Sequence, residues 1–283
     1  MRAPDPVNVK TLLQEAEAIL ADHDTPRLDA EVLLSFVMGY ERGRLYAWPE
    51  NEVVANQAMS FRDLVKKRHA GWPVAYLTGS REFWSLNLSV NEHTLVPRPE
   101  TECAVEVALA RLPGKEPYEV LDLGTGSGAI ALAIASERPN ASVVAVDISA
   151  QALQQARQNR EALGINNVSF KRSCWLDDID DRSFDLVISN PPYVESSNPL
   201  LDSTDISFEP RLALDGGQDG LDAYRKIIPA AFTALKTGGH LVLEHGFEQA
   251  SAVASLLIES GFNSPGCRKD YAGLERVSYA RKG

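Results

Sequence analysis

An amide, two prolines and an aromatic ring stand in direct succession at Asn190-Pro191-Pro192-Tyr193, immediately after the apolar run Phe184-Asp185-Leu186-Val187-Ile188-Ser189. Neither proline has a backbone N–H and both have φ fixed in advance, so the segment offers carbonyl oxygens without competing donors. The side-chain oxygen of Asn190 and the carbonyl of Pro191 can accept both hydrogens of a planar –NH2 group, while the Tyr193 ring covers its flat face. Such a slot, walled by Pro192, recognises an amide or an exocyclic amine. The plainer reading is that Asn-Pro-Pro only ends a strand, as such punctuation does in many loops.

The upstream sequence separates the two readings. Asp122-Leu123-Gly124-Thr125-Gly126-Ser127-Gly128 falls between an apolar run and a helical pattern. Glycines there permit a tight turn and let a ligand lie against the backbone at a helix N-terminus. Asp147 follows Gly124 by 23 positions, at the end of the next strand, where a carboxylate can take both ribose hydroxyls. Together they predict an adenosine-type cofactor. Gly124, Gly126 and Ala129 also fit the dinucleotide fingerprint, so the glycines alone leave NAD open. Asp122 favours S-adenosylmethionine, because a carboxylate beside the loop is poorly suited to a pyrophosphate and can help hold an ammonium.

Strand and helix patterns must alternate to bring these groups together. Glu119–Leu123, Ser142–Asp147, Val168–Lys171, Phe184–Ser189 and His240–Glu244 read as strands. Helices are predicted over 129–136, 150–163, 222–235 and 248–260, with two last strands near 263–269 and 276–281. That alternation gives an α/β fold with a doubly wound, mostly parallel sheet, whose ligands bind at the strands' carboxyl ends. The first 70 residues read as helical instead. Leu12, Leu13, Ala16, Ile19 and Leu20 share one face, with Thr11 and Gln14 as a capping box. Thr25 caps a second helix, Pro26 opens it, Gly39 stops it, and Leu28, Val32, Leu33, Phe36 and Val37 form its apolar face. A third helix is predicted from Glu52 to Ala70, presenting Val53, Phe61, Leu64 and Val65. Alternation from Leu86 to Val90, followed by Thr94-Leu95-Val96 across Asn91-Glu92-His93, predicts a β-hairpin. The resulting division is a helical domain over 1–78, a hairpin linker over 79–98 and a catalytic domain over 99–283.

At 283 residues, with 44% hydrophobic and 24% charged content, the chain is long enough for one large domain and a smaller one. No apolar stretch has membrane-spanning length and no signal-peptide layout opens the chain, which predicts a cytoplasmic protein. Cys103, Cys174 and Cys267 lack close-pair spacing, so neither a disulfide framework nor a structural metal site is expected. A net charge of −11 disfavours a nucleic-acid backbone as the main partner.

The chain resembles the peptide-release-factor glutamine methyltransferases. The resemblance spans nearly the whole length. It rests on Pro26-Arg27-Leu28-Asp29-Ala30-Glu31, Gly71-Trp72-Pro73-Val74-Ala75-Tyr76-Leu77-Thr78-Gly79, Arg81-Glu82-Phe83-Trp84 and Pro97-Arg98-Pro99-Glu100-Thr101-Glu102. It continues through the glycine loop, Asp147, Asn190-Pro191-Pro192-Tyr193, Glu209-Pro210-Arg211 and Ala213-Leu214-Asp215-Gly216-Gly217. It implies a Rossmann-like class I S-adenosylmethionine-dependent methyltransferase sheet with a small N-terminal helical domain that docks the protein substrate. The implied substrate is the glutamine of the Gly-Gly-Gln motif in class I release factors, methylated by a monomeric enzyme that needs no metal. Asp122, Leu123, Gly124, Thr125, Gly126, Asp147, Trp175 and Asn190 would hold the cofactor. Asn190, Pro191, Pro192 and Tyr193 would hold the substrate amide, with Asn190, Pro191 and Tyr193 in the catalytic part. The segment around Glu100 and Thr101 would border the active site. The family usually has an acidic residue before the tryptophan, where this chain has Cys174. That leaves the adenine edge to Asp177 or a backbone group.

Methyl transfer from a sulfonium is an in-line displacement, so the protein mainly has to align donor and acceptor and exclude water. Two other acceptors satisfy the same slot: a ribosomal-protein glutamine and the exocyclic amine of adenine, the second of which would call for a basic groove. A cofactor-sensing module without activity would predict damage to the slot or loop, and both are intact. Among the histidines, His245 ends the run Leu241–Glu244, where a structural role is expected.

Overall fold

The computed structural model describes residues 7–179, 183–202 and 206–283, which form two compact units. The smaller spans the chain up to Gly79 together with the described residues of Asp202–Phe208. It begins with β1 (Val7–Asn8) and α1 (Val9–Ile19), then α2 (Pro26–Met38) and α3 (Arg42–Ala47). After these come β2 (Glu52–Val53), which pairs with β1, α4 (Ala55–His69) and α5 (Val74–Thr78). Leu12, Leu13 and Ala16 of α1, Leu33 and Leu34 of α2, and Phe61 and Val65 of α4 close one core.

Three expectations for this unit are corrected. The cap of α1 is Asn8, whose Oδ1 accepts the Thr11 amide at 2.9 Å. Thr11 therefore sits inside the first turn rather than before it. The buried face of α2 is turned from its apolar residues: Leu28 and Phe36 are 41% and 52% exposed, while Asp29 and Glu31 are buried. Ion pairs offset that burial. Arg27, Arg42 and Tyr46 all bond the Glu31 carboxylate, and Arg68 Nε meets Asp29 at 2.7 Å. The predicted third helix loses its start to β2, because Val53 is held in a strand pair with Val7.

The larger unit opens with a hairpin of β3 (Ser80–Phe83) and β4 (Leu86–Ser89), followed by α6 (Glu102–Arg111), β5 (Glu119–Leu123), α7 (Ala129–Glu137), β6 (Ser142–Asp147), α8 (Ala150–Leu163) and β7 (Val168–Arg172). It continues with β8 (Phe184–Ser189), α9 (Asp222–Ala234), β9 (Leu235–Glu244), α10 (Ala250–Glu259), β10 (Phe262–Lys269) and β11 (Glu275–Lys282). The hairpin lies one strand earlier than predicted: Leu86–Ser89 is its second strand and not its first. Arg81 pairs with Leu88 and Phe83 with Leu86 across Trp84 and Ser85, both at positive φ (53° and 58°), and Thr94–Val96 forms no strand. Two consecutive residues at positive φ make the turn whose twist fits an antiparallel pair. Trp-Ser is an unusual sequence for it.

Among the described residues the main sheet has seven strands in the order β10-β11-β9-β8-β5-β6-β7, all parallel except β11. The order reverses at β5, which has β8 on one side and β6 on the other. Alternate residues of each strand feed opposite cores. Val120 and Leu186 pack with α6 and α7, whereas Leu121, Leu123 and Val187 pack with α9 and α10. The carboxyl ends of β5, β6 and β8 thereby face one crevice, where such sheets bind ligands.

Candidate active site

The turn after β5 is built by three glycines in the left-handed region, Gly124 (φ 71°), Gly126 (57°) and Gly128 (87°). A Cβ on Gly128 would stand 3.2 Å from the Ala156 Cβ, so this glycine also admits α8 against the start of α7. Asp122, fully buried beneath the turn, accepts the Thr125 hydroxyl at 2.6 Å through Oδ2, and its Oδ1 has no partner. Burial pushes this carboxyl up to about 7. At the end of β6, the two oxygens of Asp147 accept the amides of Gly126 (2.9 Å) and Ser149 (2.8 Å). These bonds fix its carboxylate at the mouth of the crevice with further lone pairs free.

The crevice is a cleft of about 590 Å³ whose wall includes Gly124, Gly126, Asp147, Cys174, Trp175, Asn190 and Pro192. Trp175 holds a left-handed backbone (φ 52°), unusual for a bulky residue and a sign of a conformation imposed by its surroundings. Its ring edge is 3.4 Å from the position a Cβ on Gly124 would take. A Cβ at position 124 would touch that ring at ordinary contact distance, so the left-handed φ rather than a clash is what calls for glycine there. Of the expected site residues, Asp122, Leu123 and Thr125 lie behind the turn, and Pro191 and Tyr193 lie off the cleft wall. The Tyr193 ring packs against the core cluster beneath α9, and burial pushes its hydroxyl up to about 12. Cys174 lines the cleft, and Asp177 does not.

The Asn190 side chain is anchored by donating Nδ2–H to the Thr101 hydroxyl at 3.2 Å. Thr101 closes a short 3-10 turn, Pro99–Thr101. The strap carrying it is held by Glu209, which accepts the Val96 amide at 2.9 Å and bonds Arg98. Glu244 ends β9 close by, and burial pushes it up to about 7 against the opposing effects of Thr101 and Arg276. His245 is enclosed: its Nδ1 lies 2.8 Å from the Gly246 carbonyl and its Nε2 2.9 Å from the Ser278 hydroxyl. With Nδ1–H donating to the carbonyl, Ser278 donates to Nε2 and the ring is spent on structure.

Three features of the site went unread in the sequence. Glycines 216 and 220 clamp the backbone of the Asn190–Tyr193 loop. A Cβ on Gly216 would fall 2.8 Å from both the Pro192 carbonyl oxygen and the Tyr193 Cα, and one on Gly220 would fall 2.4 Å from the Tyr193 carbonyl oxygen. The segment Glu92–Leu95 lines the cleft, as do Ile148 and Lys226. Asn159 of α8 ties β4 to the glycine turn, bonding Ser89 at 2.8 and 3.0 Å and the Ser127 carbonyl at 2.9 Å. The glycine cluster Gly216-Gly217 was visible as a signal; the loop at 92–95 had none.

The chain matches the methyltransferase domain family over residues 115–262 and the PrmC N-terminal domain family over residues 11–79. It is 46% identical over 269 residues to the release factor glutamine methyltransferase of Salmonella typhimurium, covering 95% of this chain and 97% of that one. To the Yersinia pestis protein of the same name it is 47% identical over 272 residues, covering 96% and 98%. A methyltransferase structure from Pyrococcus furiosus superposes with a TM-score of 0.54 at 20% identity, over 81% of this chain and all of that one, which supports the fold. A sheet reversing at β5, a glycine turn with Asp147 beside it, an anchored Asn190 and these likenesses along both units have one conclusion: the chain belongs to the release factor glutamine methyltransferase family.

Proposed function

We propose that this protein transfers a methyl group from S-adenosylmethionine to the side-chain amide nitrogen of the glutamine in the Gly-Gly-Gln motif of class I peptide chain release factors. The observation that carries the reading is Asn190, held by Thr101 at the rim of the same cleft that Asp147 and the glycine turn line.

The cofactor fits the residues present. The orphaned Oδ1 of Asp122 puts an uncompensated acceptor beneath the turn, where its field favours an ammonium through the intervening backbone. Gly124 and Gly126 would admit the methionyl part to the backbone, Asp147 would take the ribose hydroxyls, and Trp175 would cover the adenine. Cys174 leaves the adenine edge to backbone groups. Bound there, the sulfonium supplies an electrophilic methyl group and no metal is called for.

The rest is alignment by this chain. An amide nitrogen is a poor nucleophile because its lone pair is delocalised into the carbonyl. Asn190 Oδ1 and the Pro191 carbonyl would accept its two N–H groups, hold the nitrogen in line and stabilise the positive charge that develops there. Pro191 and Pro192, lacking N–H groups, bring no competing donors. The helical unit, with Phe36, Trp48 and Met59 exposed on it, would supply the docking surface that a single glutamine cannot.

The test is transfer of labelled methyl to a purified class I release factor, to the same factor with its Gly-Gly-Gln glutamine replaced, to ribosomal proteins and to DNA. Label on the intact factor alone is expected. Label on the substituted factor, on ribosomal proteins or on DNA would overturn the reading.

A further inference from the structure

We propose that Gln155 is a positioning residue for the cofactor: through Asn91 it holds the cleft wall Glu92–Leu95 in the arrangement that S-adenosylmethionine meets. The inference rests on the reading of this cleft as the cofactor site. It gives a task to a pair of amides that neither the glycine turn nor the acceptor slot uses.

Residues 92–95 line the cleft without belonging to a helix or strand, so side chains must set their place. The far end is held where Glu209 accepts the Val96 amide at 2.9 Å. The near end is Asn91, whose Nδ2–H donates to Gln155 Oε1 at 2.7 Å. Between them Thr94, fully buried, gives its amide and its hydroxyl to the Asn91 carbonyl at 3.0 and 3.2 Å. Fixing Asn91 therefore fixes the wall. Gln155 stands on α8 one turn after Gln151 and Ala152, which line the same cleft, and residues so spaced share a helix face. Asn159, one turn further on, ties Ser89 of β4 to the Ser127 carbonyl of the glycine turn. One face of α8 thus carries hairpin, wall and turn together.

Backbone groups decide which way each amide faces. The His93 N–H donates to Asn91 Oδ1 at 3.0 Å, which leaves Asn91 only N–H groups to offer α8. Gln155 must answer with Oε1. Its other end, Nε2, is then buried with no partner among the described residues, on a side chain 5% exposed. A stranded buried donor costs stability, and leucine would fill the site without it. Gln155 is therefore a poor device for holding the fold, and what it supplies is the tie to the wall. Asn159 is the contrast: its Oδ1 accepts the Ser89 amide and its Nδ2 reaches two backbone carbonyls, so both ends of that amide are satisfied.

The experiment compares Gln155→Leu, which removes the tie and the stranded donor together, with Asn91→Asp. The aspartate keeps an acceptor for the His93 amide and offers its second oxygen to Nε2, so Gln155 turns over and the tie survives. For the parent and both variants, the Kd of S-adenosylmethionine by calorimetry, its KM and kcat on the release factor, and the thermal unfolding midpoint are determined. In Gln155→Leu the wall must be ordered as the cofactor binds, so Kd and the cofactor KM are expected to rise about 10-fold. There kcat stays near the parent's, because Glu209 and Thr101 still hold the far end of the segment and Asn190. The midpoint stays at or above the parent's. Asn91→Asp keeps a Kd near the parent's. A parent-like Kd in Gln155→Leu would overturn the positioning role alone. So would a Kd in Asn91→Asp as weak as in Gln155→Leu, or a lowered midpoint in Gln155→Leu, which would make the tie a matter of folding. A parent protein that binds no S-adenosylmethionine would overturn the underlying cofactor reading as well.

Discussion

Replacing Asp122 by asparagine separates what the buried acid costs the fold from what it gives the cofactor site. Its carboxyl is pushed from an ordinary 3.8 up to about 7 by burial, against the bond from Thr125. A folded-state value above the unfolded one means that the native protein holds the proton more tightly. Stability is then lost as pH rises from the unfolded value to the folded one, and the loss levels off above it. Carried through, the charged carboxylate costs the native state about 2 kcal/mol at about pH 5 and about 4 kcal/mol at about pH 8. Asparagine keeps an acceptor for the Thr125 hydroxyl and has no proton to lose. The stability difference between Asp122→Asn and the parent should therefore grow in the variant's favour by about 2 kcal/mol between about pH 5 and about pH 7 and change little beyond. Urea unfolding at a series of pH values measures it, and taking the difference cancels the other titrating groups. Calorimetry on the same samples should show weaker cofactor binding in the variant. A difference that stays flat with pH, or a variant less stable at high pH than at low pH relative to the parent, would refute the reasoning about the charge.

Three further outcomes follow from the geometry. Gly216→Ala, whose Cβ meets the Pro192 carbonyl oxygen and Tyr193 Cα at 2.8 Å, should cost about 2 kcal/mol of stability and impair transfer more than cofactor binding, read by unfolding and calorimetry together. Glu209→Ala removes the acceptor of the Val96 amide and the partner of Arg98. It should destabilise the larger unit by about 3 kcal/mol in thermal or urea unfolding. Asn8→Ala, which deletes the α1 cap, should cost about 1 kcal/mol and leave kcat unchanged, a control that ties the other losses to the site.

The parts of the fold with a strong period were legible in the sequence. Strands β5, β6 and β8 are apolar at most positions because both faces are covered, broken only by Asp122 in β5 and Asp185 in β8 between their ends, and the glycine turn and Asp147 sit where those runs end. Legibility failed where a polar group is buried or a turn is unusual. Asp29 and Glu31 rotate α2 because arginines reach them from sequence-distant positions, and an apolar-face reading has no way to see such partners. The Trp84-Ser85 turn lacks the Asn-Gly or Asp-Gly of its type, so the sequence pattern places the hairpin one strand late. In the site, Asn190 was readable from its own neighbours, whereas its anchor Thr101 lies 89 positions away and is brought to it by the sheet. Gly216 was readable in a pair with Gly217 and Gly220 was not, and the purpose of 216 and 220 appears only when the Pro192 and Tyr193 backbone is seen against them.

The central claim is that the slot after β8 presents an acceptor pair to one amide nitrogen. It is tested most directly by reacting a class I release factor with the protein and S-adenosylmethionine and locating the added methyl by fragment mass spectrometry. The account predicts a single methyl on the side-chain nitrogen of the Gly-Gly-Gln glutamine, absent when Asn190→Ala replaces the parent protein. A methyl on another residue, or on that glutamine at the parent rate with Asn190→Ala, would contradict it.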